Sequence, residues 1–168
     1  MLKPEIAELL NKQVNAEFYA SNVYLQLSAW AEDAGLEGSA KFFRGHSLEE
    51  RTHMDKIFDY MCECNLSVTI GQIDAPPNNY ANLMDAINAA YQHEVKVTAM
   101  INHIAKTAFE LQDYTTFNFI EWFIAEQHEE EVLFGKILSK AEMLGFTGQT
   151  GQQLHIMDTY LKFIDPGK

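Results

Sequence analysis

Apolar residues recur at intervals of three and four along most of the chain, the period of an α-helix buried along one face. Four long segments carry the pattern, and a short fifth follows. The first runs from about Pro4, a favoured first-turn residue, to about Asp33. Gly35 and Gly38 break the chain before the second, which covers about Ser39 to Cys64. The third spans about Tyr80 to Leu111, and Gln112-Asp113 marks a turn into the fourth, about Tyr114 to Leu144. Gly145, Gly148 and Gly151 end that helix, and Leu154, Met157, Leu161 and Ile164 form one apolar stripe for a last helix over about 152–164. The fold class is all-α: a four-helix bundle over about 4–144 with a short fifth C-terminal helix, in a single domain over 1–168.

Connection lengths predict the topology. Short joins after the first and third helices make antiparallel hairpins. The stretch Val68 to Asn79 holds Gly71, Pro76, Pro77 and Asn78-Asn79 and reads as a loop. A helix of about 26 residues is roughly 39 Å long, and about 15 extended residues reach up to roughly 50 Å. The loop can therefore travel the length of the bundle as one long crossover, leaving the second and third helices parallel.

The stripes contain an anomaly. They read Ile6, Leu10, Gln13, Glu17, Ala20, Tyr24, Leu27, Ala31; then Ala40, Phe43, Ser47, Glu50, His53, Ile57, Tyr60; then Leu83, Ile87, Ala90, Glu94, Val97, Ile101, Ile104; then Phe119, Phe123, Gln127, Glu130, Phe134, Ile137, Ala141. Each has a glutamate near its middle. One Glu in an apolar stripe usually marks a helix less buried than supposed; four in register are far more specific. Burying an ionised carboxylate costs several kcal/mol, and no Lys or Arg lies on these stripes to offset it. Bound cations resolve the conflict better than protonation or a wet core.

Glu50-Arg51-Thr52-His53 is a Glu-x-x-His motif with both side chains on one helix face, and Glu17 and Glu94 add lone glutamates. That is the donor pattern of di-iron carboxylate bundles. The fourth helix departs from it: Gln127-His128-Glu129-Glu130 has glutamate where histidine is expected. One imidazole among carboxylates, without thiolate, suits iron or manganese over structural zinc. An anionic shell also favours Fe(III) over Fe(II), which drives electron transfer to an oxidant. Glu50 is best placed to bridge two metals, with His53 beside it. Tyr24 lies seven residues after Glu17 on nearly the same face, to hydrogen-bond a ligand or donate an electron, or simply to bury a satisfied hydroxyl. Glu49, Glu126 and Glu129 flank the core glutamates, as an all-oxygen third metal site or as a solvated face.

Charge and composition narrow the partners. Against 24 Asp and Glu stand 12 Lys and Arg, a net charge of −12, which disfavours nucleic acid and anionic membrane and suits cations. Cys62 and Cys64 form neither a disulfide framework nor a zinc spacing and read as reduced thiols. Met1-Leu2-Lys3-Pro4-Glu5 runs into a helix without an apolar signal core, and no apolar run has membrane-spanning length, so a cytoplasmic protein is expected.

Nearly the whole chain resembles the bacterial non-haem ferritins. The resemblance is carried by Leu2-Lys3-Pro4-Glu5, by Glu49-Glu50-Arg51-Thr52-His53-Met54, and by Tyr114 to Glu131 with Asn118-Phe119 and Glu126-Gln127-His128-Glu129-Glu130-Glu131. It implies a ferritin-like fold and a homo-oligomeric cage of about 24 subunits storing ferric mineral. It implies two Fe per subunit at Glu17, Glu50, His53, Glu94 and Glu130 with Gln127 nearby, Fe(II) as substrate, and O2 or H2O2 as oxidant. A third Fe at Glu49, Glu126 and Glu129, a role for Tyr24, and a last helix lining channels at four-fold axes are also implied. Three alternatives remain: haem-containing bacterioferritin, a di-iron oxidase or peroxidase that stores no iron, and a purely structural bundle. Bacterioferritins carry Met directly after the first motif's Glu, where this chain has Arg51, and His where Glu130 stands. A guanidinium is no axial haem ligand, so no haem is expected. Protein purified from haem-replete cells should show no Soret band; a stoichiometric bis-methionine haem spectrum would restore the bacterioferritin alternative.

Overall fold

The periodic segments are helices in the computed structural model, which describes residues 2–149 and 151–164. They are α1 (Pro4–Asp33), α2 (Glu37–Glu63), α3 (Leu83–Glu110), α4 (Tyr114–Met143) and α5 (Gln152–Lys162). Among the described residues there is no strand. Met1, Thr150 and residues 165–168 of the expected 1–168 domain lie outside the described residues.

All four long helices stop in the same way. The residue past each cap takes a left-handed φ: Gly35 at 72°, Asn65 at 58°, Gln112 at 57° and Gly145 at 62°. The next N–H then reaches back to a carbonyl of the last turn, as in Leu36 to Ala31 at 2.8 Å and Phe146 to Ala141 at 2.9 Å. These ends lie within two residues of the sequence boundaries.

The starts differ more: a local cap sets that of α3 and a tertiary contact that of α2. α3 begins at Leu83, not Tyr80, since Asn82 Oδ1 accepts from the Asp85 N–H at 3.0 Å and Asp85 Oδ2 accepts from the Ala81 N–H at 3.1 Å. α2 begins at Glu37 and runs through Gly38, the residue read as a breaker. Its own cap position, Leu36, supplies no side-chain acceptor. The cap comes from α5: Asp158 accepts from the Gly38 N–H at 3.1 Å, and from the Ser39 N–H and hydroxyl at 2.7 Å each. A Cβ on Gly38 would lie 2.0 Å from the Asp158 carbonyl oxygen, so glycine is needed there to admit α5.

Two apolar clusters fix the helix directions. One gathers Leu27 of α1, Phe42 and Phe43 at the start of α2, Leu83 and Ile87 at the start of α3, Ile137 near the end of α4, and Met157 and Leu161 of α5. The other gathers Leu10 of α1, Ile57 and Met61 near the end of α2, Ile101 and Ile104 of α3, and Phe123 of α4. The starts of α2 and α3 thus share one end of the bundle, so those helices run parallel, as the long crossover requires. Thr69 in the crossover donates its N–H to Asn11 Oδ1 at 2.7 Å, and Gly71 donates to Asn15 Oδ1 at 2.8 Å. The crossover backbone at Thr69 and Gly71 is therefore satisfied by α1 side chains, which composition alone did not suggest.

Between the clusters lies a layer of buried polar side chains: Gln13, Glu17, His46, Ser47, Glu50, His53, Glu94, Gln127 and Glu130. The bundle's core is two apolar blocks with a polar layer between them.

Asp158→Ala should remove the cap on α2 and cost about 1 kcal/mol, lowering the melting temperature by about 2–4 °C in calorimetry. Asp158→Asn, which keeps an acceptor, should lose less. Equal losses in the two variants would contradict the capping role.

Candidate metal centre

Each glutamate of the polar layer arrives on a different helix, at the point where the two apolar clusters meet. Glu17 is 1 % exposed, Glu50 2 %, Glu94 0 % and Glu130 5 %. Glu17, Glu50 and His53 each turn one ligand atom to a common point, with those atoms within 4.8 Å of one another. His53 Nδ1 stands 3.2 Å from Glu50 Oε2. Gln13 donates to Glu17 Oε1 at 2.8 Å. Glu94 is held on both oxygens, accepting a short hydrogen bond from the Tyr24 hydroxyl on Oε1 and one from Gln127 Nε2 at 3.2 Å on Oε2. Glu130 Oε2 lies 3.4 Å from His46 Nε2. No Lys or Arg is among the buried side chains of the described residues.

This concentration of negative groups distorts every titration in the layer. Burial, then the charges of Glu94 and Glu17, pushes Glu50 well above the usual carboxylate range. Burial also raises Glu17, against the contacts with Glu50 and Gln13. Glu94 is pushed up to about 7 by burial and Glu130, with the Tyr24 and Gln127 hydrogen bonds opposing. Burial lowers His53 to about 4. Tyr24 is raised well above a normal phenol by burial and the Glu94 charge. For His46 burial works against the charge, but the Glu130 carboxylate outweighs it and the net shift is upward. Without metal, protons take up the negative charge; cations with exchangeable coordination would displace them.

A family model described as "Ferritin-like domain" matches residues 7–144. A probable bacterial non-heme ferritin-like protein of Haemophilus influenzae is 45 % identical over 158 residues, covering 94 % of each chain. A bacterial non-heme ferritin of Escherichia coli is 42 % identical over 165 residues, 98 % of each. The chain belongs to the ferritin family. Solved ferritins share the fold: an open-pore ferritin of Archaeoglobus fulgidus matches at a TM-score of 0.91 and 30 % identity, over 98 % of this chain and 99 % of that one. The ferritin of Chlorobium tepidum matches at 0.84 and 41 %, over 88 % of this chain and 90 % of that one.

Glu17, Glu50, His53, Glu94 and Glu130 all reach the buried layer, Gln127 touches Glu94, and Tyr24 spends its hydroxyl on Glu94. The outer cluster is grouped differently from the expected all-oxygen set. Glu49 and Glu126 converge with His53, within 4.8 Å, while Glu129 is exposed and outside that group. Helix geometry gives the reason: Glu126 is offset by about 40° from Glu130 around the axis, and Glu129 by about 100°. Glu49 and His53, four apart, share a face. The same i,i+4 spacing links His46 to Glu50, a signal in the sequence that the motif reading passed over. His93, partly buried, was likewise left without a place; its ring meets Tyr19 edge-on at 5.9 Å and Tyr24 at 6.5 Å.

The pH dependence follows from these shifts. Carboxyls raised on folding stabilise the metal-free protein below their unfolded range, and that stabilisation is lost as pH rises through the folded pKa. His53 and His93, lowered to about 4 from 6.5, act oppositely, but only between those values. Above pH 6.5 the glutamates and the raised His46 remain, all of one sign. The metal-free protein should therefore lose melting temperature from pH 6.5 to about pH 8, and Glu94→Gln should flatten the slope. A melting temperature that rises over this window in the wild type would contradict the assignment.

Proposed function

We propose that the chain is an iron-storage subunit with ferroxidase activity, and that the buried layer at Glu17, Glu50, His53, Glu94 and Glu130 binds two Fe(II) as substrate. The observation that carries the reading is four buried glutamates from four helices with no buried Lys or Arg beside them. Two divalent ions supply the four positive charges that four carboxylates lack. The protons held by Glu17, Glu50 and Glu94 are released as iron binds.

Oxidation then removes one electron from each iron. Two electrons reduce O2 to H2O2 with two protons, or H2O2 to two waters with two protons. The carboxylate shell favours the ferric product because its negative charge is matched by the added positive charge. Glu50, with Glu17 and His53 gathered on one side and the charges of Glu94 and Glu130 also acting on it, would serve both irons. Tyr24 and Gln127 orient Glu94, and the buried phenol is placed to give up an electron through that contact. Glu49 and Glu126 assist iron just outside the core, with Glu129 at the solvent edge.

Storage calls for a cavity outside the subunit. The relatives are named non-heme ferritins, and the exposed Leu48, Met143 and Phe163, the last 79 % exposed, suit burial between copies. The assembly we propose is a homo-oligomeric cage of about 24 subunits, cytoplasmic and without haem, with Fe(III) mineral inside. No helix of the described residues is long and apolar enough to cross a membrane.

Glu50→Ala and His53→Ala should each abolish the fast phase of Fe(II) oxidation, measured by stopped flow at about two Fe(II) per subunit, while circular dichroism stays helical. A retained fast phase in both would reject the ferroxidase reading. Aerobic loading with a large iron excess separates storage from a di-iron oxidase: the oxidase would hold only its core pair, the storage protein a mineral eluting with the assembled particle.

A further inference from the structure

The Tyr24 ring has a neighbour that the function proposed above does not use. Tyr24 is fully buried and gives its hydroxyl to Glu94. Its ring meets His93 of α3 edge-on, with centroids 6.5 Å apart. His93 in turn meets Tyr19 of α1 at 5.9 Å. Both separations are those of aromatic rings in contact. Tyr19 is half-buried, and with His93 it lines an open groove of about 410 Å³ between α1 and α3. Three touching rings therefore lead from the proposed ligand Glu94 to a face that solvent reaches.

Packing alone does not account for the middle ring. His93 Nε2 is buried and has no hydrogen bond among the described residues. An unpaired buried nitrogen opposes folding, and an apolar side chain of similar size would avoid that cost. The two outer rings are phenols, which give up an electron readily when their proton leaves as well. Each has somewhere to send it: Tyr24 to Glu94, and Tyr19 to water in the groove. Electron transfer falls steeply with separation, and an aromatic ring between two phenols in contact with both shortens the gap.

We propose that Tyr24, His93 and Tyr19 form an electron relay that carries an oxidising equivalent from the core to the α1–α3 groove, with Tyr19 as its terminal redox site. This rests on the ferroxidase reading and extends it to a core holding a single Fe(II) when H2O2 arrives. H2O2 takes two electrons and two protons to become two waters. Fe(II) supplies one electron and becomes Fe(III). Tyr24 supplies the other and passes its proton to Glu94, while the protons for water come from the carboxyls of the layer. Tyr19 then refills Tyr24. Its electron crosses the His93 ring, which bridges without being oxidised, Glu94 returns the proton to Tyr24, and Tyr19 releases its own proton into the groove. A dissolved phenol entering the groove gives Tyr19 an electron and a proton and leaves as a phenoxyl radical. One Fe(II) alone would reduce H2O2 only halfway and free a hydroxyl radical in the core; the relay supplies the missing electron.

The test uses the assembled protein, loaded anaerobically with Fe(II) equimolar to subunits and mixed with H2O2. Paramagnetic resonance on rapidly frozen samples reads the radicals. In a parallel sample a nitroso spin trap is added, and fragment sequencing by mass spectrometry assigns the adduct to a residue. The wild type should give a tyrosyl signal and an adduct on Tyr19. Tyr24→Phe should lose both. Tyr19→Phe should lose the adduct but keep a tyrosyl signal, which decays more slowly, and it should keep the fast phase seen with excess Fe(II). Each replacement retains a ring, so the packing stays. An undiminished Tyr19 adduct in Tyr24→Phe would show that Tyr19 is oxidised directly from solution and would overturn the relay. A wild-type tyrosyl signal without any adduct on Tyr19 would overturn it too. If wild-type protein oxidises Fe(II) no faster than buffer does, it is the ferroxidase reading that fails.

Discussion

Everything in this bundle is arranged around carboxylates that water cannot reach. Each buried glutamate, if ionised without a partner, opposes folding by several kcal/mol, and Glu17, Glu50, Glu94 and Glu130 share one layer with no buried Lys or Arg among the described residues. Such a layer survives only if packing elsewhere is good enough to hold it. The apolar clusters on either side supply that packing, and α5 extends one of them with Met157 and Leu161. Stability comes from the two ends and chemistry from the middle, and the long crossover lets four helices bring one glutamate each to the same height.

The local devices serve that register. Since a shift of one helix along its axis would take its glutamate out of the layer, each helix needs fixed ends. Asn82 and Asp113 fix the starts of α3 and α4 through their own caps. α2 has no cap of its own and borrows Asp158 from α5. The short last helix therefore does more than cover one end of the bundle: it sets where α2 begins, and so where Glu50 and His53 sit.

The stripes made the fold and the buried glutamate layer legible, because helical period is a local property and each stripe carried its own glutamate. What escaped was long-range or angular. Gly38 looked like a breaker because nothing nearby could show that a backbone oxygen of Asp158 would lie against it. The start of α3 was misplaced because Tyr80 continues an apolar pattern while Asn82 holds the cap. His46 was legible by spacing, four residues before Glu50, but its contact with Glu130 Oε2 at 3.4 Å joins two helices and leaves no local signal.

The proposed ligands are not equally constrained, and the inequality has a direction. Glu94 is anchored on both oxygens by Tyr24 and Gln127, and Glu17 on one by Gln13. Glu130 Oε2 has only the distant His46 nitrogen before it. An anchored carboxylate keeps its geometry when the charge of a bound ion changes, whereas one with an unpaired oxygen can turn at little cost. A ferroxidase that stores its product must bind Fe(II) firmly enough to oxidise it and then let Fe(III) go. The proposed chemistry therefore places the rigid ligand at Glu94, held on both oxygens, and the yielding ones at Glu17 and Glu130, each with one oxygen that has no hydrogen bond among the described residues.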